Sequence, residues 1–193
     1  MWPWDHVAVA YICYSLYTRV RGGRPSTVAA IAVVAAATAP DLIDKPLAWW
    51  LGVLPSGRSL GHSVFTLVGV TVLTGVLELL ARVRGLTVAV ALGWGSHLLG
   101  DVAYPLVVKG DLRVGFLLWP IVPAGDASTP DAFGHISELF AAFLGYLATP
   151  AGATYLLADL ALLLTALVLW IADGAPGTEW FLSPAEAEPD ASE

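Results

Sequence analysis

The residues best suited to chemistry in this sequence are histidines and aspartates that lie within or beside long apolar stretches. His97 and Asp101 are four residues apart in GWGSHLLGD, inside the apolar run of residues 86–108. At that spacing two side chains project from the same face of a helix. Because an ionisable group is costly to bury in a membrane, its presence there indicates a functional site. A buried hydrogen-bonded pair is the structural alternative for these two residues alone.

Four more candidate ligands precede this pair and come from three other parts of the chain. His6 lies near the start of the first apolar segment, and His62 opens the third in GRSLGHSVF. Asp41 and Asp44, in TAPDLIDKP, follow the second segment and share a face if that turn is helical. Imidazole and carboxylate groups together bind zinc, manganese or iron without any cysteine. We therefore expect a divalent metal, zinc before manganese or iron, with one or more ions.

A bound cation would explain why so many ionisable side chains occur in an apolar chain. It would neutralise the buried carboxylates and offset the loss of their hydration. A later pair, His135 and Glu138 in FGHISELF, could complete the metal site or hold a water on the substrate side. Taken singly, each residue also fits a structural role, such as a hydrogen-bonded histidine or a turn aspartate beside Pro40 and Pro46.

The composition places these residues in a membrane protein. Of the 193 residues, 57% are hydrophobic and 13% are charged, and the mean hydropathy is +0.73. These values predict an all-α polytopic helical membrane bundle, with five or six membrane-embedded segments and the metal site between helices. The predicted apolar segments are residues 5–18, 26–39, 62–81, 86–108, 133–147 and 154–172, with a proline-broken interfacial or re-entrant piece at 116–123.

The ends of the apolar segments predict the domain organisation and the orientation in the membrane. Residues 1–174 are expected to form the membrane-embedded domain, and residues 175–193 an acidic, disordered tail. Five arginines lie in two alternate loops, between the first and second segments and between the third and fourth: Arg19, Arg21, Arg24, Arg82 and Arg84. By the positive-inside rule these loops face the cytoplasm. The candidate ligands then lie toward the extracytoplasmic side of a prokaryotic cell membrane.

Several classes of function are disfavoured by the sequence. The chain has nine basic and 16 acidic residues and a net charge of −7, so no nucleic-acid partner is expected. Cys13 is the sole cysteine, which excludes intramolecular disulfides and thiolate metal sites. The sequence has no HExxH motif, which argues against a zincin-type protease, and no P-loop or GxGxxG element.

The order of the motifs resembles that of the YdjM-like family. An early His, PDLID, GRSLGHS, GWGSHLLGD and a downstream LLWP follow one another between residues 6 and 120. Members of that family are inner-membrane proteins described as metal-dependent hydrolases, and the family's name also describes LexA binding. The acidic pair is spaced D-x-x-D here, whereas the family has D-x-D.

The family is similar, more distantly, to zinc phospholipase C and to P1-type nucleases, whose metal ligands follow a similar order. This resemblance implies a ligand set carried over residue by residue: His6, Asp41, His62, His97 and Asp101, with His135 and Glu138 as a final pair spaced by three residues instead of four. The resemblance strengthens the prediction of a metal more than it specifies a substrate.

Together these features predict a membrane-bound metal-dependent hydrolase. We expect a phosphoesterase that acts on a phospholipid or lipid-linked phosphate through metal-activated water, with membrane lipid as its surroundings. Asp44 is the expected general base and Arg58 the expected phosphate-binding residue. Two alternatives stay open: a transporter or proton relay that uses the same histidines and aspartates, and a non-catalytic membrane scaffold or regulator.

Overall fold

A computed structural model of the chain describes residues 1–124 and 132–179, and within these ranges the secondary structure is entirely helical. The helices are α1 (Pro3–Val20), α2 (Thr27–Trp49), α3 (Val64–Ala81), α4 (Leu86–Lys109), α5 (Ala132–Leu147) and α6 (Pro150–Ala172), with a short 3₁₀ turn at Gly115–Leu118. The predicted all-α membrane bundle is confirmed. Most of the predicted acidic tail, residues 180–193, lies outside the described residues.

Four of the helices, α2, α3, α4 and α6, are long and apolar enough to cross a membrane. At a rise of about 1.5 Å per residue, a helix of roughly 20 residues matches the hydrocarbon thickness of a bilayer. No residue of α3 is buried, and in α6 only Gly152 and Asp159 are, as expected of helices whose apolar side chains face lipid. The shorter helix α5 is also apolar, and it packs against α6.

The centre of the bundle is the contact between α2 and α4, on which α1 also packs. Small side chains fill the buried cluster between these helices: Ala10, Ala29, Val33, Ala37 and Ala89. Gly93 on α4 allows the closest approach, since a Cβ there would lie 2.6 Å from the carbonyl oxygen of Val33. One turn further along α4, His97 consequently reaches the backbone of α2.

The second helix is longer than the apolar pattern predicts. It continues from Thr27 to Trp49 through Pro40 and Pro46, so that Asp41 and Asp44 lie within the helix. The prediction that this segment ends near residue 39 is therefore wrong. A proline removes one helical N–H but tertiary contacts can hold the helix together around it. Here those contacts come from the two aspartates, as described below.

Candidate metal centre

Five of the seven predicted metal ligands lie together at one end of the bundle. His6 lies on α1, Asp41 on α2 and His62 in the loop that precedes α3. His97 and Asp101 lie one turn apart on α4. In the described part of the chain these five residues form two overlapping groups, each with its ligand atoms within 4.8 Å of one another. One group is His6, Asp41 and His97, and the other is His62, His97 and Asp101. His97 belongs to both groups and is therefore the central ligand.

The two central imidazoles have fixed orientations that point their Nε2 atoms at each other. His97 Nδ1 donates to the carbonyl oxygen of Ala37 at 2.7 Å, and His62 Nδ1 lies 2.8 Å from Asp44 Oδ2. A neutral imidazole that donates through Nδ1 has a lone pair on Nε2. The two Nε2 atoms are 3.1 Å apart, so two acceptors would face each other. A proton or a metal cation must lie between them.

Carboxylates surround the same point and add negative charge to it. Asp41 Oδ1 lies 3.5 Å from His62 Nε2 and 3.8 Å from His97 Nε2. Asp101 Oδ2 lies 3.5 Å from His62 Nε2, and its Oδ1 lies 3.3 Å from His6 Nε2. Nitrogen lone pairs and carboxylate oxygens that converge in this way are the donor set of zinc and related metals. The arrangement can therefore hold a divalent cation.

His62 is the imidazole of the cluster whose surroundings favour the protonated form. It lies in the loop before α3, outside the membrane-spanning helices. Burial works against its charged form, but hydrogen bonds with Asp101, Asp41 and Asp44 outweigh burial and raise its pKa to about 10. The proton on His62 and a metal ion would occupy the same position, so they compete.

This competition predicts that metal affinity depends on pH. Because the raised pKa keeps His62 protonated at neutral pH, each ion bound releases at least one proton. The apparent association constant for zinc is therefore expected to rise about tenfold or more per pH unit between about pH 6 and 8. Zinc titrations of the detergent-purified protein at several pH values measure this slope, and a dissociation constant that does not change with pH would contradict it.

Both carboxylate oxygens of Asp44, the predicted general base, are engaged by hydrogen bonds within the protein. Asp44 is fully buried, and its two oxygens accept hydrogen bonds from the backbone N–H groups of Ser59, Gly61 and His62 at 2.7, 2.7 and 3.2 Å. The second oxygen also contacts His62 Nδ1. A carboxylate on the far nitrogen of a ligand histidine fixes the orientation of the ring and raises its basicity. The geometry thus favours an orienting role over the predicted general base.

Arg58 lies at the edge of the cluster. Its Nε donates to Asp101 Oδ2 at 2.7 Å, and its guanidinium carbon lies 5.8 Å from the centre of the Phe116 ring. The side chain is 42% exposed, so its terminal N–H groups can reach a ligand from outside. A role in phosphate binding is compatible with this position and stays a prediction.

The final predicted pair, His135 and Glu138, lies on α5 and belongs to neither group of ligands. The ring of His135 packs edge-on against Trp49, with 5.0 Å between ring centres. Glu138 is exposed. The structure therefore places this pair outside the cluster of five residues, and its predicted part in the site stays a prediction.

Two supporting residues were not singled out from the sequence. Trp94 is buried and donates its indole N–H to the carbonyl oxygen of Gly61 at 2.8 Å, which fixes the loop that carries His62. A tryptophan inside an apolar helix needs such a partner, which is the only sequence signal for this contact. Lys45 donates to Asp41 at 2.6 Å. Its spacing of four residues from Asp41 in a helix would have revealed the pair, had α2 been predicted to continue.

A protein-family model described as YdjM inner membrane protein matches residues 1–175. No curated protein and no solved structure gives a significant match.

Proposed function

We propose that this chain, which belongs to the YdjM family of inner membrane proteins, is a metal-dependent hydrolase of phosphoesters in lipids or lipid-linked substrates. The observation that carries the proposal is the pair of imidazole Nε2 atoms 3.1 Å apart between Asp41 and Asp101. With both imidazoles donating through Nδ1, the two Nε2 lone pairs face each other, and a divalent cation bound to both would satisfy them in place of a proton. The loops rich in arginine favour an extracytoplasmic position for the site.

Each residue of the site can be given a specific role in such a reaction. A divalent ion bound here would polarise a phosphoryl oxygen and lower the pKa of a bound water. His62 and His97 supply nitrogen ligands, and Asp41 and Asp101 balance the charge. Arg58 would bind a phosphate oxygen from the exposed side, where a planar guanidinium can donate two hydrogen bonds. In the reaction a water molecule loses a proton as its oxygen bonds to phosphorus, the P–O bond to the alcohol breaks, and the alcohol oxygen takes up a proton.

Removal of metal tests the proposed function directly. We expect purified protein to release phosphate from a lipid phosphate in mixed micelles and to lose this activity on dialysis against a chelator, because no other strong electrophile is available in the described site. Zinc or manganese should restore the activity, as measured by phosphate release. Turnover that persists in protein shown by elemental analysis to be metal-free would contradict the proposal.

A further inference from the structure

An apolar cavity of about 360 Å³ lies beside the ligand cluster, between α1, α2 and α5. Its volume falls within the range of roughly 300–1,000 Å³ that is usual for small-molecule sites. Most of its walls are apolar side chains from the last turns of α2 and from α5: Leu42, Pro46, Trp49, Trp50 and Ile136. The metal site itself uses none of these residues.

The cavity is continuous with the candidate metal centre. His6 and Asp41, two of the clustered ligands, also line it. His6 is almost completely buried, and among the described residues neither of its ring nitrogens makes a hydrogen bond of good geometry, although Nε2 lies 3.3 Å from Asp101. Because His6 is one of the candidate metal ligands, a bound cation would complete the surroundings of this ring, and the cavity reaches the metal centre at this point. A molecule in the cavity would therefore touch the metal centre with one end.

One positively charged side chain, Lys45, lies between the apolar walls of the cavity and the candidate metal ligands. Lys45 lines the cavity and contacts Asp41 at 2.6 Å, and its ammonium group lies 5.8 Å from the centre of the Trp49 ring. An ammonium group has three hydrogen-bond donors, of which Asp41 uses one. The side chain is 33% exposed, so the remaining donors are accessible to an anionic group.

We propose that this cavity binds one hydrocarbon chain of a phosphate-bearing lipid, whose phosphate pairs with Lys45 beside the metal ligands. The proposal rests on the proposed function and specifies its substrate class. A water-soluble phosphoester would gain nothing from apolar walls, whereas an acyl chain buries its methylene groups there. Leu42 is 69% exposed, so the cavity opens along α2 toward the bilayer. Trp49 and Trp50, at the end of α2, occupy the position of interfacial aromatic anchors.

Photo-crosslinking can locate the chain without requiring turnover. The full-length protein in lipid nanodiscs would be irradiated with phosphatidic acid that carries a diazirine in one acyl chain, and the labelled peptides would be identified by mass spectrometry. We expect the last turns of α2 and the start of α5 to be labelled in excess of the lipid-facing helix α3. Equal labelling of α3 and of the cavity walls would overturn the proposal.

Two matched substitutions test the shape of the cavity. Leu42→Trp would place a large side chain in it and is expected to lower cavity labelling by roughly tenfold, equivalent to about 1.4 kcal/mol of binding. Val68→Trp makes the same kind of change at a lipid-facing position of α3 that is 60% exposed, and it should leave cavity labelling unchanged. Equal labelling of the two variants would contradict a chain in the cavity.

The role of Lys45 is tested with a neutral lipid. Diacylglycerol that carries the same diazirine chain should label the wild-type cavity less than phosphatidic acid does, and Lys45→Met should reduce this difference. Equal labelling of the wild type by both lipids would overturn the phosphate pairing. If phosphatidic acid labels the cavity but the protein does not hydrolyse it, the result would support the lipid-binding site and refute the proposed reaction. Hydrolysis of a soluble phosphoester without labelling of the cavity would support the proposed reaction and refute the lipid-binding site.

Discussion

Replacing His97 by alanine is expected to remove bound metal and to lower kcat/KM for phosphoester hydrolysis by well over the roughly 100-fold that loss of a supporting residue can cost. His97 is the ligand common to both groups, so no complete set of ligands survives without it. Elemental analysis and phosphate release from the same preparation measure the two effects. Chelator-treated wild-type protein provides the reference for a folded, metal-free state.

His135→Ala is the matched control, since it removes a histidine that lies on α5 outside both ligand groups. We expect this variant to retain its metal and its turnover, which would exclude His135 from the ligand set that the family resemblance implies. If His97→Ala kept its metal while His135→Ala lost it, the assignment of the centre to the five clustered residues would be wrong.

Replacing Asp44 by asparagine is expected to destabilise the protein even without metal. The carboxylate is fully buried and accepts three backbone N–H groups in addition to contacting His62. An amide presents an NH₂ group to some of these donors and removes the charge that they stabilise. Breaking a buried charged network of this kind costs about 3–5 kcal/mol, a fall of roughly 6 °C or more in Tm. Thermal unfolding in chelator measures it.

The same substitution should weaken zinc binding by about 10- to 100-fold, because His62 loses the partner that orients its ring. Asp111→Asn is the control, since Asp111 is an exposed aspartate paired with Arg113, and its loss should change stability by less than about 0.5 kcal/mol. An Asp44→Asn variant that melts with the wild type in chelator and binds zinc equally well would refute the orienting role.

The membrane architecture could be predicted from the sequence because apolar length is a local property. The long apolar runs of α3, α4 and α6 can be recognised as candidate spans from their hydropathy alone. The end of α2 could not be predicted in this way, since Pro40 and Pro46 are ordinary signals for a helix end. What overrides them is a contact of Asp44 with loop amides fifteen or more residues away, which only the folded chain brings into reach.

The candidate ligands could be predicted from residue type, but their individual roles required geometry. His6, His62 and His97 are unusual residues in an apolar chain, and their type alone suggested a metal site. The sequence could not distinguish a ligand such as Asp41 from a second carboxylate one turn later that orients a histidine. That difference depends on the direction in which each side chain leaves α2, and hence on the length of that helix.

An anomalous diffraction map of crystals grown with zinc, recorded at the zinc absorption edge, would show directly whether a metal ion binds at the histidine cluster. We expect a peak about 2.0–2.1 Å from both His62 Nε2 and His97 Nε2, which two nitrogens 3.1 Å apart allow when the N–Zn–N angle is bent as in a tetrahedral site. A refined structure of a zinc-grown crystal with no anomalous peak within bonding distance of these two nitrogens would contradict a metal centre at this site.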